Sequence, residues 1–211
     1  MPAPTPLLQD GPATGPILLL AHGAGAPMDS DFMTEMAGLL AGCGVHVVRF
    51  EFAYMRARRT DGKRRPPPRM PGLIDEFQQV MSRFPDGPVF IGGKSMGGRV
   101  ASMIAADPQD GSNIAGLACL GYPFHPPGKP DSLRTQHLPA ITCPALIVQG
   151  ERDPFGNKDD VAGYELPANM QVFWSASGNH DLTPPKKSGR TAQENWTEAA
   201  QAISGFIDGN T

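Results

Sequence analysis

Ser95, Asp153 and His180 are the residues of this chain whose types and order could carry out acyl transfer. A serine hydroxyl is a weak nucleophile at neutral pH. It attacks a carbonyl only when an imidazole takes its proton, and the imidazole presents the right nitrogen only when a carboxylate holds the other one. Ser95 lies in Gly93-Lys94-Ser95-Met96-Gly97, which follows the apolar run Val89 to Gly92 and opens into a helix-compatible sequence. A strand-to-helix turn tight enough to thrust the hydroxyl outward has no room for side chains two positions before and after it, and glycine at 93 and 97 meets that demand. Gly-x-Ser-x-Gly alone is common by chance, so its weight comes from what surrounds it.

The acid and the base both follow strand-like runs. Asp153 lies in Gly150-Glu151-Arg152-Asp153-Pro154 after Ala145 to Gln149, and His180 in Gly178-Asn179-His180-Asp181 after Gln171 to Ser175. Glu151, Asp159, Asp160 and Asp181 compete for the role of acid; Asp153 is preferred for its distance from the strand. A fourth element precedes them. The run Ile17 to Ala21 leads into His22-Gly23-Ala24-Gly25-Ala26-Pro27, a small-residue turn whose backbone N–H groups can reach a developing oxyanion. The N–H groups of Ala24 and Met96 are the expected donors. His22 is expected to brace the turn, and His22, Gly25, Arg58, Arg59 and His125 are placed on the substrate side, with a structural role in its Pro-rich loop an equal reading for His125. His46, inside a strand, is read as structural.

These loops need elements to position them. Strands are expected at Ile17–Ala21, Val45–Phe50, Val89–Gly92, Gly116–Leu120, Ala145–Gln149 and Gln171–Ser175, several of them continuous apolar runs of the kind parallel strands show when covered on both faces. Between them Phe32, Met36, Leu39, Leu40 and Cys43 mark one amphipathic helix stopped by Gly44, and Ile74, Phe77, Val80, Met81 and Phe84 a second before Pro85. A third starts near Ser95 and ends by Pro108. The last opens on the capping box Thr191-x-x-Glu194 and buries Trp196, Ala200, Ile203 and Ile207. Strands alternating with helices imply an α/β fold with an open, mostly parallel sheet and a ligand site at the carboxyl ends of its strands.

Composition limits the alternatives. A chain of 211 residues with 40% hydrophobic and 18% charged residues suits one soluble domain, and a formal charge of -3 gives no reason to expect nucleic acid or a membrane as partner. Cys43, Cys119 and Cys143 show neither metal-ligand nor disulfide spacing, which points to a reducing cytoplasm. Met1 to Pro16 lacks the basic and apolar regions of a targeting segment. No cofactor or metal is expected.

Four segments together resemble a known family: Ala21 to Ser30, Gly92 to Arg99, Leu120 to Pro130 with Gly121-Tyr122-Pro123-Phe124-His125-Pro126-Pro127, and Gln149 to Gly156. They are similar to the α/β-hydrolases, in particular a compact dienelactone-hydrolase-like branch of predicted hydrolases that includes relatives of testis-expressed protein 30. The resemblance covers nearly the whole chain from Pro16 onward. It implies Ser95 as nucleophile, Asp153 as acid and His180 as base, and it supplies no substrate. Larger members carry two further N-terminal strands; the Pro-rich segment before Ile17 looks too short for them, so residues 1–15 are expected to be irregular and the sheet to have about six strands. Gly121 to Cys143, rich in proline, is too short and broken for a helical lid, which favours small substrates.

Plainer readings compete at several positions. Ser95 could cap a helix, and His180 could be an ordinary loop histidine. Arg56 to Arg69, strongly basic in an acidic chain, reads first as a solvated loop and second as an attractor of anionic substrates. Gly93-Lys94-Ser95 ends like a phosphate-binding loop, but that pattern needs glycine where the chain has Pro88. The combined expectation is a serine hydrolase for a small acyl substrate, with a catalytically silent binding or scaffold protein on the same fold as the alternative.

Overall fold

The computed structural model describes residues 5–107 and 113–211. Its strands are β1 (Leu7–Asp10), β2 (Ile17–Ala21), β3 (His46–Phe50), β4 (Val89–Lys94), β5 (Ile114–Leu120), β6 (Ala145–Gly150) and β7 (Met170–Ser175). They form one seven-stranded sheet in the order β1-β3-β2-β4-β5-β6-β7. Every neighbouring pair from β3 to β7 is parallel, and β1 alone runs antiparallel, against β3. The helices are α1 (Asp31–Gly42), α2 (Ala53–Asp61), α3 (Met70–Met81), α4 (Met96–Ala105), α5 (Lys158–Ala162) and α6 (Ala192–Asp208). This is the α/β-hydrolase fold, with no α-helix among the residues between β5 and β6.

The continuous apolar runs are explained by two cores. Along β2, Leu18 and Leu20 pack with Met33, Met36 and Leu40 of α1 and Ala199 and Ile203 of α6. Leu19 and Ala21 point the other way, into Leu73, Phe77 and Val80 of α3 and Val100 and Ile104 of α4. Leu18, Leu19 and Leu20 are fully buried, and each such side chain contributes about 1.5–3 kcal/mol. Thr191 and Glu194 form the expected reciprocal capping box of α6.

Two expectations are corrected. The N-terminal segment supplies a seventh strand, β1, which carries no apolar period of its own and depends on cross-strand partners. The buried Arg49 of β3 donates to Asp10 from Nε at 3.1 Å and Nη2 at 2.9 Å, and His46 Nε2 pairs with Gln9 Oε1 at 3.0 Å. The basic segment is not simply a loop. Ala53-Tyr54-Met55-Arg56-Ala57-Arg58-Arg59 forms most of α2, as its good helix formers favour, and the helix ends where Gly62 takes a left-handed φ of 69°. Pro108, expected to close the third helix, lies outside the described residues, as do residues 1–4.

Candidate active site

Ser95 stands between β4 and α4 at φ 52°, ψ −113°, a conformation that non-glycine residues rarely hold. The glycines around it are required by contact. A Cβ on Gly93 would come within 2.6 Å of the Ala21 carbonyl oxygen, and one on Gly97 within 2.5 Å of the same atom. Strand and helix are therefore clamped against the end of β2. The Ser95 N–H donates to Leu120 O at 2.9 Å, extending the β4–β5 ladder, while its carbonyl accepts from Arg99 N–H at 3.0 Å to start α4. Its hydroxyl does not cap that helix. Instead Oγ lies 2.9 Å from His180 Nε2.

His180 Nδ1 lies 2.8 Å from Asp153 Oδ2. Asp153 is fully buried and is sustained there by donors: Phe155 N–H to Oδ1 at 2.8 Å and the Gln149 side-chain amide to Oδ2 at 3.1 Å. A carboxylate can only accept, so it places the imidazole proton on Nδ1 and leaves Nε2 to accept from the Ser95 hydroxyl. The Phe155 ring lies 4.3 Å from the imidazole, centroid to centroid. Strain flanks the histidine as well as the serine: Ser177 (φ 53°) and Leu182 (φ 59°) are, with Ser95, the non-glycine residues of positive φ among those described. The buried Asn195 of α6 holds this loop by donating to Ala176 O at 3.0 Å and Leu182 O at 2.7 Å. Competing acids are engaged elsewhere, Glu151 with Lys158, Asp160 in the cap of α5, and Asp181 with Lys94.

The turn after β2 is held by its carbonyls. His22 Nδ1–H donates to Gly23 O at 2.7 Å, Tyr54 Oη to Ala24 O at 3.0 Å and Arg58 Nη1 to Gly25 O at 3.0 Å. The Phe52 N–H, donating to His22 Nε2 at 3.1 Å, fixes the tautomer of His22. Burial holds His22 below the ordinary histidine range, so it stays neutral. With those carbonyls engaged, the Ala24 N–H has no acceptor among the described residues. Met96 opens α4, where the helix provides its N–H no partner. Ala24, Ser95 and Met96 line one cleft.

Two clefts meet at Ser95 and share Ala24 and Phe155. One, of about 290 Å³, is largely apolar, lined by Ala26, Phe32 and Met33, with Lys94 and Asp181 at its edge. Lys94 is nearly buried; its Nζ lies 3.2 Å from Asp181 Oδ1, and burial lowers its pKa. The other cleft, of about 350 Å³, is walled by Pro67, Pro68, Met70, Leu73 and Pro123 and contains Arg99 and Arg134.

Of the residues expected on the substrate side, Gly25 lines the first cleft, while His22, Arg58, Arg59 and His125 line neither. His22 and His125 are buried, and His125 lies against Pro126 O and Asp160. Arg58 holds the turn. Arg59 pairs with Glu51 at 2.6 Å and Asp29 at 2.5 Å. The basic segment does reach the cleft, but through Pro67 and Pro68. Sequence reasoning missed Phe32, Lys94, Phe155, Arg99 and Arg134; of these only Arg99 carried a signal, lying one helical turn beyond Ser95.

A family model described as the alpha/beta hydrolase domain matches residues 14–208, and the chain belongs to that family. Among solved structures, Est1E from Butyrivibrio proteoclasticus superposes with a TM-score of 0.71 at 14% identity, over 96% of this chain and 94% of that one. Dienelactone hydrolase from Anabaena variabilis gives 0.72 at 18%, over 97% and 92%. An alpha-beta serine hydrolase homologue from Coxiella burnetii gives 0.65 at 17%, over 93% and 90%. At such identities the likeness establishes the fold. Among the described residues no helix is long and apolar enough to cross a membrane, and no cluster of His, Cys, Asp or Glu is arranged to hold a metal ion.

Proposed function

We propose that this protein is a serine hydrolase of carboxylic esters or closely related small acyl compounds, working through an acyl-enzyme. The observation that carries the proposal is the unbroken chain Ser95 Oγ–His180 Nε2–Nδ1–Asp153 Oδ2, at 2.9 and 2.8 Å, on a serine held at positive φ. Ser95 Oγ attacks the carbonyl carbon as its proton passes to His180 Nε2. Asp153 stabilises the imidazolium, and the N–H groups of Ala24 and Met96 receive the oxyanion. The imidazolium then gives its proton to the leaving alkoxide as the carbon–oxygen bond breaks. Water repeats the sequence in reverse roles: His180 takes its proton, its oxygen attacks the acyl carbon, and the proton returns to Ser95 as the acid departs.

A cytoplasmic setting accompanies this proposal, supported by the free thiols of Cys43, Cys119 and Cys143. The test of function is labelling by a fluorophosphonate probe together with turnover of 4-nitrophenyl acetate. Wild type is expected to do both, and Ser95→Ala, folded by circular dichroism, neither. A wild-type protein that neither labels nor turns over any short ester would make the chain a binding or scaffold protein on a hydrolase fold.

A further inference from the structure

The arginines of this chain divide by whether an acceptor faces them. Arg49, Arg56, Arg58, Arg59, Arg65, Arg83, Arg152 and Arg190 each donate to a carbonyl, hydroxyl, amide or carboxylate oxygen. Arg64 and Arg69 are exposed and solvated. Arg99 and Arg134 fit neither group. Both are half-buried and line the cleft that contains Ser95. Neither guanidinium has a hydrogen-bond or ion-pair acceptor among the described residues, and Arg99 Nε is fully buried without a partner. A buried donor left unmatched is rare in a folded protein, and the remaining guanidinium nitrogens of the two arginines, which are neither paired nor fully buried, are free to take an acceptor from the cleft.

We propose that Arg99 and Arg134 form a carboxylate subsite, so that the substrate carries a carboxylate on the side of the scissile bond that enters this cleft. The subsite rests on the assignment of Ser95 as nucleophile, since it gains its meaning from the cleft the two share. The local electrostatics agree. Burial and the repulsion of Arg99 make Arg134 harder to keep charged, and neighbouring His137 is driven down to about 4 by burial and then by Arg99. His137 is therefore neutral at physiological pH and adds no charge of either sign. The cleft walls are proline, methionine, leucine and phenylalanine, an apolar surround that strengthens an ion pair formed between them. On the other side of Ser95 the charges at the apolar cleft, Lys94 and Asp181, already satisfy one another. One side of the site suits an apolar group and the other a planar anion, for which a pair of guanidinium forks is the matching donor.

The test uses purified protein and two matched ester pairs. In the first pair the carboxylate is on the acyl side, 4-nitrophenyl hydrogen glutarate against its methyl ester. In the second it is on the alcohol side, 4-(butyryloxy)benzoate against its methyl ester. In at least one pair kcat/KM should favour the carboxylate. Arg134→Gln and Arg99→Gln should each lower that charged-to-neutral ratio by about tenfold or more, the order expected for losing a hydrogen bond to a charged group. Arg134→Lys should fall between wild type and Arg134→Gln. Raising salt to about 1 M, where the screening length is about 3 Å, should compress the wild-type ratio without any mutation. Neutral esters turned over with no preference for the charged partner in either pair, or a ratio untouched by Arg134→Gln, would overturn the subsite and leave the hydrolase standing. If no ester is turned over and no probe labels, the hydrolase proposal has failed. Calorimetric titration with glutarate then decides the subsite: saturable binding lost in Arg134→Gln supports it, and no binding overturns it.

Discussion

Asp153 is the residue whose environment is most completely specified, since the backbone of Phe155 and the amide of Gln149 hold it as a buried acceptor facing His180. Asp153→Asn would present an amide with similar shape and invert the hydrogen bond to the imidazole, so that Nδ1 becomes the acceptor and Nε2 carries the proton. His180 could then no longer take the proton of Ser95. Turnover of 4-nitrophenyl acetate should fall by about 10⁴-fold with little change in fold, the magnitude known for this exchange in a serine triad; a loss below about tenfold would remove Asp153 from the mechanism. At the elbow the constraint is steric. Gly97→Ala puts a methyl group 2.5 Å from the Ala21 carbonyl oxygen and 2.7 Å from that of His22, and neither residue can move without disturbing Ser95 or the turn after β2. The variant should lose about 1–3 kcal/mol in urea unfolding, the usual cost of overpacking, and most of its labelling by a fluorophosphonate.

Elements act on the site by holding its loops. Helix α2, which takes in the start of the basic segment, supports the turn after β2 through Tyr54 and Arg58, and helix α6 supports the histidine loop through Asn195. Asn195→Ala would strip the carbonyls of Ala176 and Leu182 of their donor in a buried setting, a change that costs about 1–3 kcal/mol. Because Leu182 is one of the strained residues beside His180, the loop should relax, and kcat should fall along with the urea midpoint. Full kcat in a destabilised variant would show that the loop keeps its shape without α6.

For the molecule as a whole, pH and substrate size are the informative variables. The fold lowers the pKa of His137 to about 4 and that of His22 below its ordinary value, chiefly by burial. Between about pH 6.5, where an unfolded histidine titrates, and pH 4, the unfolded chain therefore binds more protons than the folded one, so stability falls on acidification through this window. Unfolding by urea at pH 7 and pH 5 should show that loss, and His137→Gln should show less of it; an unchanged difference would mean that other groups carry the dependence. With clefts of about 290 and 350 Å³ and no α-helix inserted between β5 and β6, long acyl chains have little apolar surface to cover them. Turnover of 4-nitrophenyl esters should peak at short chains and decline toward palmitate, and a steady rise with length would contradict this.

Sequence by itself determined the parts of this protein that obey local rules. The runs at Ile17–Ala21 and Ala145–Val148 are strands because burial on both faces accounts for their uninterrupted apolar residues, and Gly93 and Gly97 fix the elbow because the turn admits nothing larger. The order Ser95, Asp153, His180 could likewise be read from the loops that follow three strands. Tertiary structure decided what depends on partners distant in the chain. Strand β1 exists because Arg49 and His46 across the sheet give Asp10 and Gln9 their bonds, which no local pattern in Leu7–Asp10 announces. Arg56 to Arg69 read first as a solvated loop and second as an attractor of anions, yet Glu51, Asp29, Asp61 and the Gly25 carbonyl hold several of those arginines. The half-buried arginines left without an acceptor, Arg99 and Arg134, lie 35 positions apart and become a pair only where α4 and the segment after β5 close around Ser95. Charge is written in the sequence, but whether a charge is already satisfied is a matter of distance, and distance is set only when the chain folds.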